Sequence, residues 1–308
     1  KYSYLPRVLD EHELTGGNGM TEMGTFVAIL LGNVAGGLLV AMPDIGHATV
    51  AVACVAVAVF GRWMSGRIPP LSPTHPKQTI NWNPFTETLQ NLGLARANAK
   101  VFQTLLGISW MWFFGAVFLS QFPSFAKEVL HGDAQVASLL LVLFSVGIGA
   151  GSLLCEYLSR GRVEIGLAPL GAIGMTLFAV DLYMASNQLP DVPLMGIQIF
   201  MAHSQHWRIM ADLLLLSLFT GIYSVPMYAL IQIESKSHEV ARIIAANNII
   251  NALFMIASSL IAGAMLSAGM TIPDIFFWTG VANAAVTLAI FVAEPSYLHR
   301  FAAWLRGV

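Results

Sequence analysis

The sequence has few charged residues for its length. Only 10% of its 308 residues are Asp, Glu, Lys or Arg, whereas 56% are hydrophobic, and the mean hydropathy is +0.69. A soluble domain carries about 25% charged residues, so this chain cannot cover a water-facing surface with polar side chains. The composition excludes an ordinary soluble protein and predicts an integral membrane protein.

Cysteine and catalytic motifs are also scarce. Cys54 and Cys155 lie in apolar runs without metal-ligand spacing or a disulfide partner, so we expect two small buried side chains. His203 and His206 are three residues apart, but no third ligand is near, and we expect them at the membrane interface. The glycines of "GIGAG" at Gly147 follow no strand, and there is no nucleophile elbow or phosphate-binding loop. We expect no cofactor, no metal, no nucleic-acid partner and no catalysis in this segment.

Apolar runs long enough to cross a membrane occur eight times. A spanning helix needs roughly 20 mostly apolar residues. The predicted spans are 24–42, 45–61, 101–126, 134–155, 165–186, 213–233, 243–272 and 275–293. The run from Leu194 is too short and continues into "HSQHWR", so we expect it to lie at the interface.

Lys and Arg are distributed unequally between the two sides of the predicted membrane. One side receives only Lys127 and Arg208, and the other side receives the remaining 13 of the 15. Cytoplasmic loops carry the excess of Lys and Arg in membrane proteins. We therefore expect both ends of this chain in the cytoplasm.

The connection 62–100 separates two predicted spans from six. After a Pro-rich start, Asn83 can cap an amphipathic helix on the inner membrane surface, with Phe85 and Leu89 on its apolar face; an unstructured linker is the alternative. A common transporter architecture joins two six-helix halves by a long cytoplasmic loop. Because the chain begins at Lys1 rather than Met, we expect a piece of a longer protein that lacks four helices and retains the fifth to the twelfth.

This layout divides the chain into four parts. They are the last two helices of an N-terminal half (1–61), a cytoplasmic linker with an amphipathic helix (62–100), a C-terminal six-helix half (101–294) and a cytoplasmic tail (295–308).

The stretch "GSLLCEYLSRGR" contains the strongest local motif. It resembles the loop signature of the major facilitator superfamily, formed here by Gly151, Glu156, Arg160, Gly161 and Arg162. The glycine lets a neighbouring helix approach closely, and the arginines anchor the turn at anionic headgroups. Ordinary positive flanking with an incidental acid is the alternative. Together with the two-plus-six layout, the motif predicts an all-α membrane protein of this superfamily.

The stretch "GGNG" stands directly before the first predicted span. The superfamily resemblance implies that the loop with Glu156 faces this helix start, at Gly17 and Asn18. Glycines leave backbone N–H groups uncovered, so Glu156 could accept hydrogen bonds from them when the cytoplasmic side is closed. This predicts a gate latch of about 1–2 kcal/mol. The alternative is a simple turn at Gly16 and Gly17, with Asn18 as the helix cap.

Two acids lie within the predicted spans. An acid inside a span is costly and indicates function by default. Glu22 could bind a headgroup amine or a proton, or it could pair with Arg7 or Arg242 at the headgroup level. Asp181 lies near the far end of its span, so it could lie at the interface or in the substrate pathway.

Amides and tyrosines complete the candidate substrate pathway. Asn247 and Asn251 share a helix face and form a polar stripe with Asn248. They could hold helices together, or they could bind phosphate or glycerol oxygens if the face lines a cavity. The further candidates flank the kink at Pro226 and are Tyr223, Tyr228 and Gln232.

Longer stretches resemble one family within the superfamily. "KYSYLP", "GNGMTEMGTF", "CEYLSRGRVEIGLAPLGAIGM" and "FAAWLRGV" are similar to the bacterial lysophospholipid transporter family. The resemblance implies a multi-pass inner-membrane flippase that carries lysophospholipids, chiefly lysophosphatidylethanolamine, inward for reacylation. It also implies an acyltransferase and an acyl–acyl carrier protein synthetase, fused or separate, as partners. The residues alone leave open a proton-coupled drug or small-solute exporter and a non-transporting membrane anchor of a lipid acyltransferase.

Overall fold

The computed structural model describes residues 1–72, 81–187, 189–190 and 192–307. These residues contain no β-strand, and one isolated bridge joins Gly132 to Met195. Eight of their helices are long and apolar enough to cross a membrane. These are α1 (Leu14–Val40), α2 (Gly46–Ser65), α4 (Ala99–Ser124), α5 (Ala134–Ser159), α6 (Leu167–Ser186), α8 (Ser204–Glu234), α9 (Val240–Ser267) and α10 (Ile272–Ala293). The shorter helices are α3 (Pro84–Arg96), α7 (Ile197–Ala202) and α11 (Ser296–Leu305).

The predicted all-α fold with eight spans is confirmed, since each predicted span overlaps one of the long helices; the predicted span 243–272 extends beyond the end of α9 at Ser267. The run after Leu194 forms only the six-residue helix α7. The predicted helix α3 begins at Pro84, where the Asn83 side chain accepts hydrogen bonds from the N–H groups of Phe85 and Thr86 at 3.0 and 3.3 Å. The Pro-rich start of this connection falls partly on residues 73–80, outside the described ranges.

The first helix begins earlier than the sequence predicts. A 3₁₀ turn over Glu11–Glu13 leads directly into α1 at Leu14, so Gly16 and Gly17 are helical. The expected turn with Asn18 as the cap is therefore wrong. The capping interaction lies further upstream, at the 3₁₀ turn, where the Asp10 N–H donates to Glu13 at 3.0 Å.

The helix α8 also begins before its predicted start. It extends back to Ser204, although Arg208 and Asp212 lie in its first turns. Charged residues usually mark the end of a span, but Arg208 pairs with Asp181 of α6 at 2.5 Å. This ion pair lets the helix continue through a charged segment.

The helix α8 lies at the centre of the bundle. α5 and α6 pack along it, α4 packs against α9 and α10, and α1 lies on α5. A Cβ on Gly151 of α5 would lie 1.9 Å from the backbone oxygen of Leu218 in α8, and one on Gly171 of α6 would lie 2.7 Å from the Cα of Tyr223. Glycine is thus required where the backbones of these helices touch.

The helix α2 is exposed along almost its whole length and packs chiefly on α1. Cys54 is exposed on this helix, whereas Cys155 is buried in α5. The expectation of two buried cysteines is wrong for Cys54, because its side of α2 carries no covering helix among the described residues.

Replacing Gly151 by Ala should destabilise the bundle. The new methyl group would overlap the Leu218 backbone oxygen, and overpacking of this kind typically costs about 1–3 kcal/mol. Gly115→Ala is the matched control, since Gly115 is also buried in a helix but has no neighbouring atom within 4 Å of a new Cβ. Thermal unfolding in detergent, followed by circular dichroism, should show a lower midpoint for Gly151→Ala only. Equal midpoints would contradict the close contact of α5 with α8.

Candidate functional site

Two polar residues of α1 face the inside of the bundle. Asn18 and Glu22 are four residues apart and share a helix face. Both residues are buried: the exposed fraction is 0% for Asn18 and 1% for Glu22. Because these side chains are removed from solvent, each polar atom needs a hydrogen-bond partner.

Asn18 and Gln232 form a reciprocal amide pair between α1 and α8. Asn18 Nδ2 donates to Gln232 Oε1 at 2.6 Å, and Gln232 Nε2 donates to Asn18 Oδ1 at 3.0 Å. The other amide hydrogens reach the backbone oxygens of Leu14 at 2.8 Å and Tyr2 at 2.9 Å. All four donor hydrogens of the pair are therefore used.

Glu22 is only half satisfied. The Tyr2 hydroxyl donates to Glu22 Oε2, while Glu22 Oε1 is buried without a hydrogen-bond partner in the described structure. Burial, and then the nearby Glu22 carboxylate, raises the pKa of the Tyr2 hydroxyl, so Tyr2 stays neutral and keeps the proton that it donates. Lys1 lies at the edge of this contact and donates to Thr25.

The two arginines expected to pair with Glu22 lie elsewhere, so that expectation is wrong. Arg7 donates to the backbone oxygen of Ser72. Arg242 donates to the Asn91 side chain of α3 at 2.7 Å. Both arginines hold the connection between α2 and α4 against the bundle, which leaves Glu22 without a guanidinium partner.

An aromatic pair lies beside Glu22. The rings of Tyr2 and Tyr228 stack with centroids 4.1 Å apart and planes inclined by 4°. Trp112 of α4 donates its indole N–H to the Tyr228 hydroxyl at 3.1 Å. The polar cluster thus joins the segment before α1 to α4, α8 and α9.

The two asparagines of α9 differ in their partners. Asn251 accepts a hydrogen bond from Ser109 at 2.7 Å and so holds α9 to α4. Both polar atoms of the buried Asn247 side chain lack a hydrogen-bond partner of ordinary geometry, although the Tyr228 hydroxyl lies close enough to interact with it. Asn248 is exposed and does not join the stripe expected from the sequence.

The structure brings together five of the six predicted pathway residues and leaves one apart. Tyr223 donates to the backbone oxygen of Gly107 at 3.1 Å, between α8 and α4. The residues in the polar cluster are Glu22, Tyr228, Gln232, Asn247 and Asn251.

The predicted loop motif does contact α1, but not through the predicted hydrogen bonds. A Cβ on Gly16 would lie 3.2 Å from the Glu156 carboxyl carbon, and Glu156 Oε2 is buried without a partner in the described structure. Because α1 begins at Leu14, the N–H groups of Gly17 and Asn18 lie within the helix and bond to its own carbonyls. The expected hydrogen bonds from this helix start to Glu156 are therefore wrong.

The end of the motif is a tight turn. Arg160 and Gly161 have φ angles of 56° and 70°, the left-handed conformation that ends α5. Arg162 lies 3.7 Å from Glu164, an acid that the sequence analysis did not single out. Glu164 is fully buried and also pairs with Arg300 of α11. This ion pair fixes the loop to the last helix.

Eight apolar helices around a buried and incompletely paired polar cluster define a multi-pass membrane protein of the transporter class. Residues 2–259 match the sequence profile of the Major Facilitator Superfamily, and the chain belongs to this family. The predicted superfamily is confirmed, and membership agrees with the expectation that this segment is not an enzyme.

Two relatives illustrate where the chain falls within the family. A stretch of 243 residues is 29% identical to the Lysophospholipid transporter LplT of Escherichia coli O157:H7. This stretch covers 77% of the chain and 54% of the relative. The chain is 29% identical over 241 residues to the Lysophospholipid transporter LplT of Shigella dysenteriae serotype 1 (strain Sd197), again 77% of this chain and 54% of the relative. The chain therefore spans about half the length of these relatives.

Breaking the Asn18–Gln232 pair should destabilise the contact between α1 and α8. Asn18→Leu and Gln232→Leu each leave buried amide groups unpaired, which costs about 1–3 kcal/mol. The double variant removes both amides and should lose less than the sum of the two single variants. Unfolding in detergent measures all four proteins. Additive losses would show that the two amides do not interact.

Proposed function

We propose that the full protein carries lysophospholipids, chiefly lysophosphatidylethanolamine, inward across the bacterial inner membrane by alternating access. The names of the similar relatives support this substrate class. The observation that carries the proposal is that Glu22 Oε1 and the Asn247 amide are buried without a hydrogen-bond partner of ordinary geometry among the described residues. Buried polar groups are nearly always paired, so unpaired ones inside a transporter suit a ligand that supplies the missing partner.

The chemistry of the cluster fits a zwitterionic headgroup. An ionised Glu22 carboxylate can accept hydrogen bonds from an ammonium group, and the Asn247 amide can donate to a phosphate oxygen. The face of a tyrosine attracts cations. The Lys1 ammonium lies 4.7 Å from the centroid of the Tyr2 ring, which is the kind of contact that a headgroup amine would make.

The cluster is closed in this conformation, since 1% of Glu22 and 0% of Asn247 is exposed. A lipid headgroup can reach them only after α1 moves away from α8. This movement breaks the Asn18–Gln232 pair. We therefore assign this amide pair and the contact between Glu156 and Gly16 to the gate.

The orientation follows from the distribution of Lys and Arg, which places both ends of this chain in the cytoplasm. α1 and α2 then belong to the N-terminal half (1–61), and α4 to α10 form the C-terminal half (101–294). The connection 62–100, with α3 on the inner membrane surface, and the tail 295–308, with α11, are cytoplasmic. Reacylation of the carried lipid requires an acyltransferase and an acyl carrier protein, whether fused or separate.

Uptake of fluorescent lysophosphatidylethanolamine by the full protein in proteoliposomes tests the proposal. Glu22→Gln should reduce saturable uptake roughly tenfold or more, because a hydrogen bond to a charged group contributes about 1.5–3 kcal/mol. Asn247→Leu should also reduce uptake, since it removes the phosphate donor.

Asn33→Leu is the control for this experiment. Asn33 is exposed on α1 and bonds to Ile29 of its own helix at 3.0 Å, so uptake should be unchanged. Absence of lysolipid movement in the unmodified protein, with efflux of a cationic dye instead, would replace the proposal by a drug exporter. Acylation without any transport would indicate a membrane anchor.

Neutralising Glu156 should shift the balance between the inward-open and outward-open states. An unpaired buried polar atom costs about 1–3 kcal/mol, more when it is charged, and Glu156 Oε2 has no hydrogen-bond partner among the described residues. Glu156→Gln removes the charge from this group, so the closed cytoplasmic side should become more populated. Spin labels on the 3₁₀ turn before α1 and on the turn after α5 would report the distance across the gap. Glu239→Gln, which alters an exposed pair with Lys236, should leave the distance distribution unchanged.

A further inference from the structure

The polar groups at the start of α8 form a second cluster, far from the first. Asp212 precedes Gln232 by 20 positions on the same helix, roughly 30 Å along its axis. It lies beside Asp181, near the end of α6, and Arg208, one turn earlier on α8. We propose that Asp181 and Asp212 share a single proton, and that this proton ties the end of α6 to the start of α8. The proposal does not rest on the identity of the transported substrate.

The guanidinium group of Arg208 is fully engaged by one of the two acids. Its Nη2 lies 2.5 Å from Asp181 Oδ1, and its Nε donates to Asp181 Oδ2 at 3.2 Å. This two-point contact occupies both oxygens of Asp181 and neutralises one negative charge. The Arg208 side chain is 53% exposed and the Asp181 side chain 32%, so this ion pair lies at the water-facing edge.

Asp212 lies behind the ion pair and is 3% exposed. Its Oδ2 is buried without a hydrogen-bond partner in the described structure. Arg208 and Asp212 are four residues apart on α8, so Asp212 shares the helix face that holds the Arg208–Asp181 ion pair, and the two acids interact there. Two carboxylates have four acceptor atoms and no donor, so a hydrogen bond between them requires a proton on one of them. Two like charges that share a buried position do not both ionise.

A proton fits this position better than a metal ion. The cluster contains two carboxyl groups and a guanidinium, and a cation would be repelled by Arg208. No group of three His, Cys, Asp or Glu side chains in the described ranges could hold a metal. His203 and His206, on the same end of the bundle, bond to the backbone oxygens of Ile199 and Phe200 instead.

The charged groups that act on Asp212 come from two helices. Asp181 faces it from α6 and Arg208 from α8 itself, and these are the charged groups that influence it among the described residues. With the proton present, the two acids and the arginine are electrically neutral as a group. Loss of the proton places a second negative charge between α6 and α8 and favours their separation. The cluster is therefore a pH-dependent contact between two helices of the bundle.

Infrared spectra of the full protein in lipid nanodiscs at neutral pH test this assignment. The unmodified protein should show a band in the carbonyl-stretch region of protonated carboxyl groups that is lost in Asp212→Asn, whatever other buried acids contribute to both spectra. Asp181→Asn should remove the same band, because Asp212 then pairs as a carboxylate with Arg208. Asp274→Asn is the control and should retain the band, since Asp274 belongs to the capping box of α10 and not to this cluster.

Either of two results would overturn the proposal. A spectrum that does not differ between the unmodified protein and Asp212→Asn would show that Asp212 is ionised or that the band belongs to another acid. A band that persists in Asp181→Asn would show an isolated buried acid rather than a shared proton. If Asp212→Asn does not fold, the Asp181→Asn spectrum alone decides between these outcomes.

Discussion

Direct backbone contact between α8 and its two neighbours is the constraint on which the rest of the structure depends. Where Gly151 and Gly171 lie against α8, the helices touch without intervening side chains. Such contact leaves no space for a side chain between the helices at these points. Each polar side chain in the interior must find a partner in the protein, or remain unpaired at a large cost in free energy. Because an unpaired buried atom is costly, the positions of such atoms indicate where a function offsets the loss of stability.

One buried amide between the helices, that of Asn283, has hydrogen-bond partners for its oxygen and for its nitrogen. Asn283 of α10 accepts from the Trp110 indole at 2.9 Å, and its own amide donates to the Ala172 backbone and to Thr176 at 3.0 and 2.9 Å. Asn247 of α9 is equally buried, but among the described residues its amide has no hydrogen-bond partner of ordinary geometry and only the Tyr228 hydroxyl lies near it. Two asparagines in the same kind of environment thus differ in how completely the protein pairs them.

Much of the fold could be read from the sequence, because hydrophobic length and the Lys and Arg distribution are strong one-dimensional signals. The eight spans and the Asn83 cap were predictable in this way. Helix starts were less predictable, because glycines such as Gly16 and Gly17 usually indicate a turn and the charge of Arg208 usually indicates the end of an apolar span. The partner of Glu22 could not be inferred, since Tyr2 lies outside any predicted span and nothing in the sequence places it against α1. Glu164 did have a signal, as an acid directly after a basic turn, but its partner is more than a hundred residues away.

The amide pair between α1 and α8 has a consequence for biogenesis. Asn18 and Gln232 are separated by 214 positions. At synthesis rates of about 5–20 residues per second, α1 is made roughly 10–40 s before its partner exists. During that interval Asn18 lacks its amide partner from α8. The insertion machinery, or a shallow position of α1 near the headgroups, has to hold this helix until the central helix has been made.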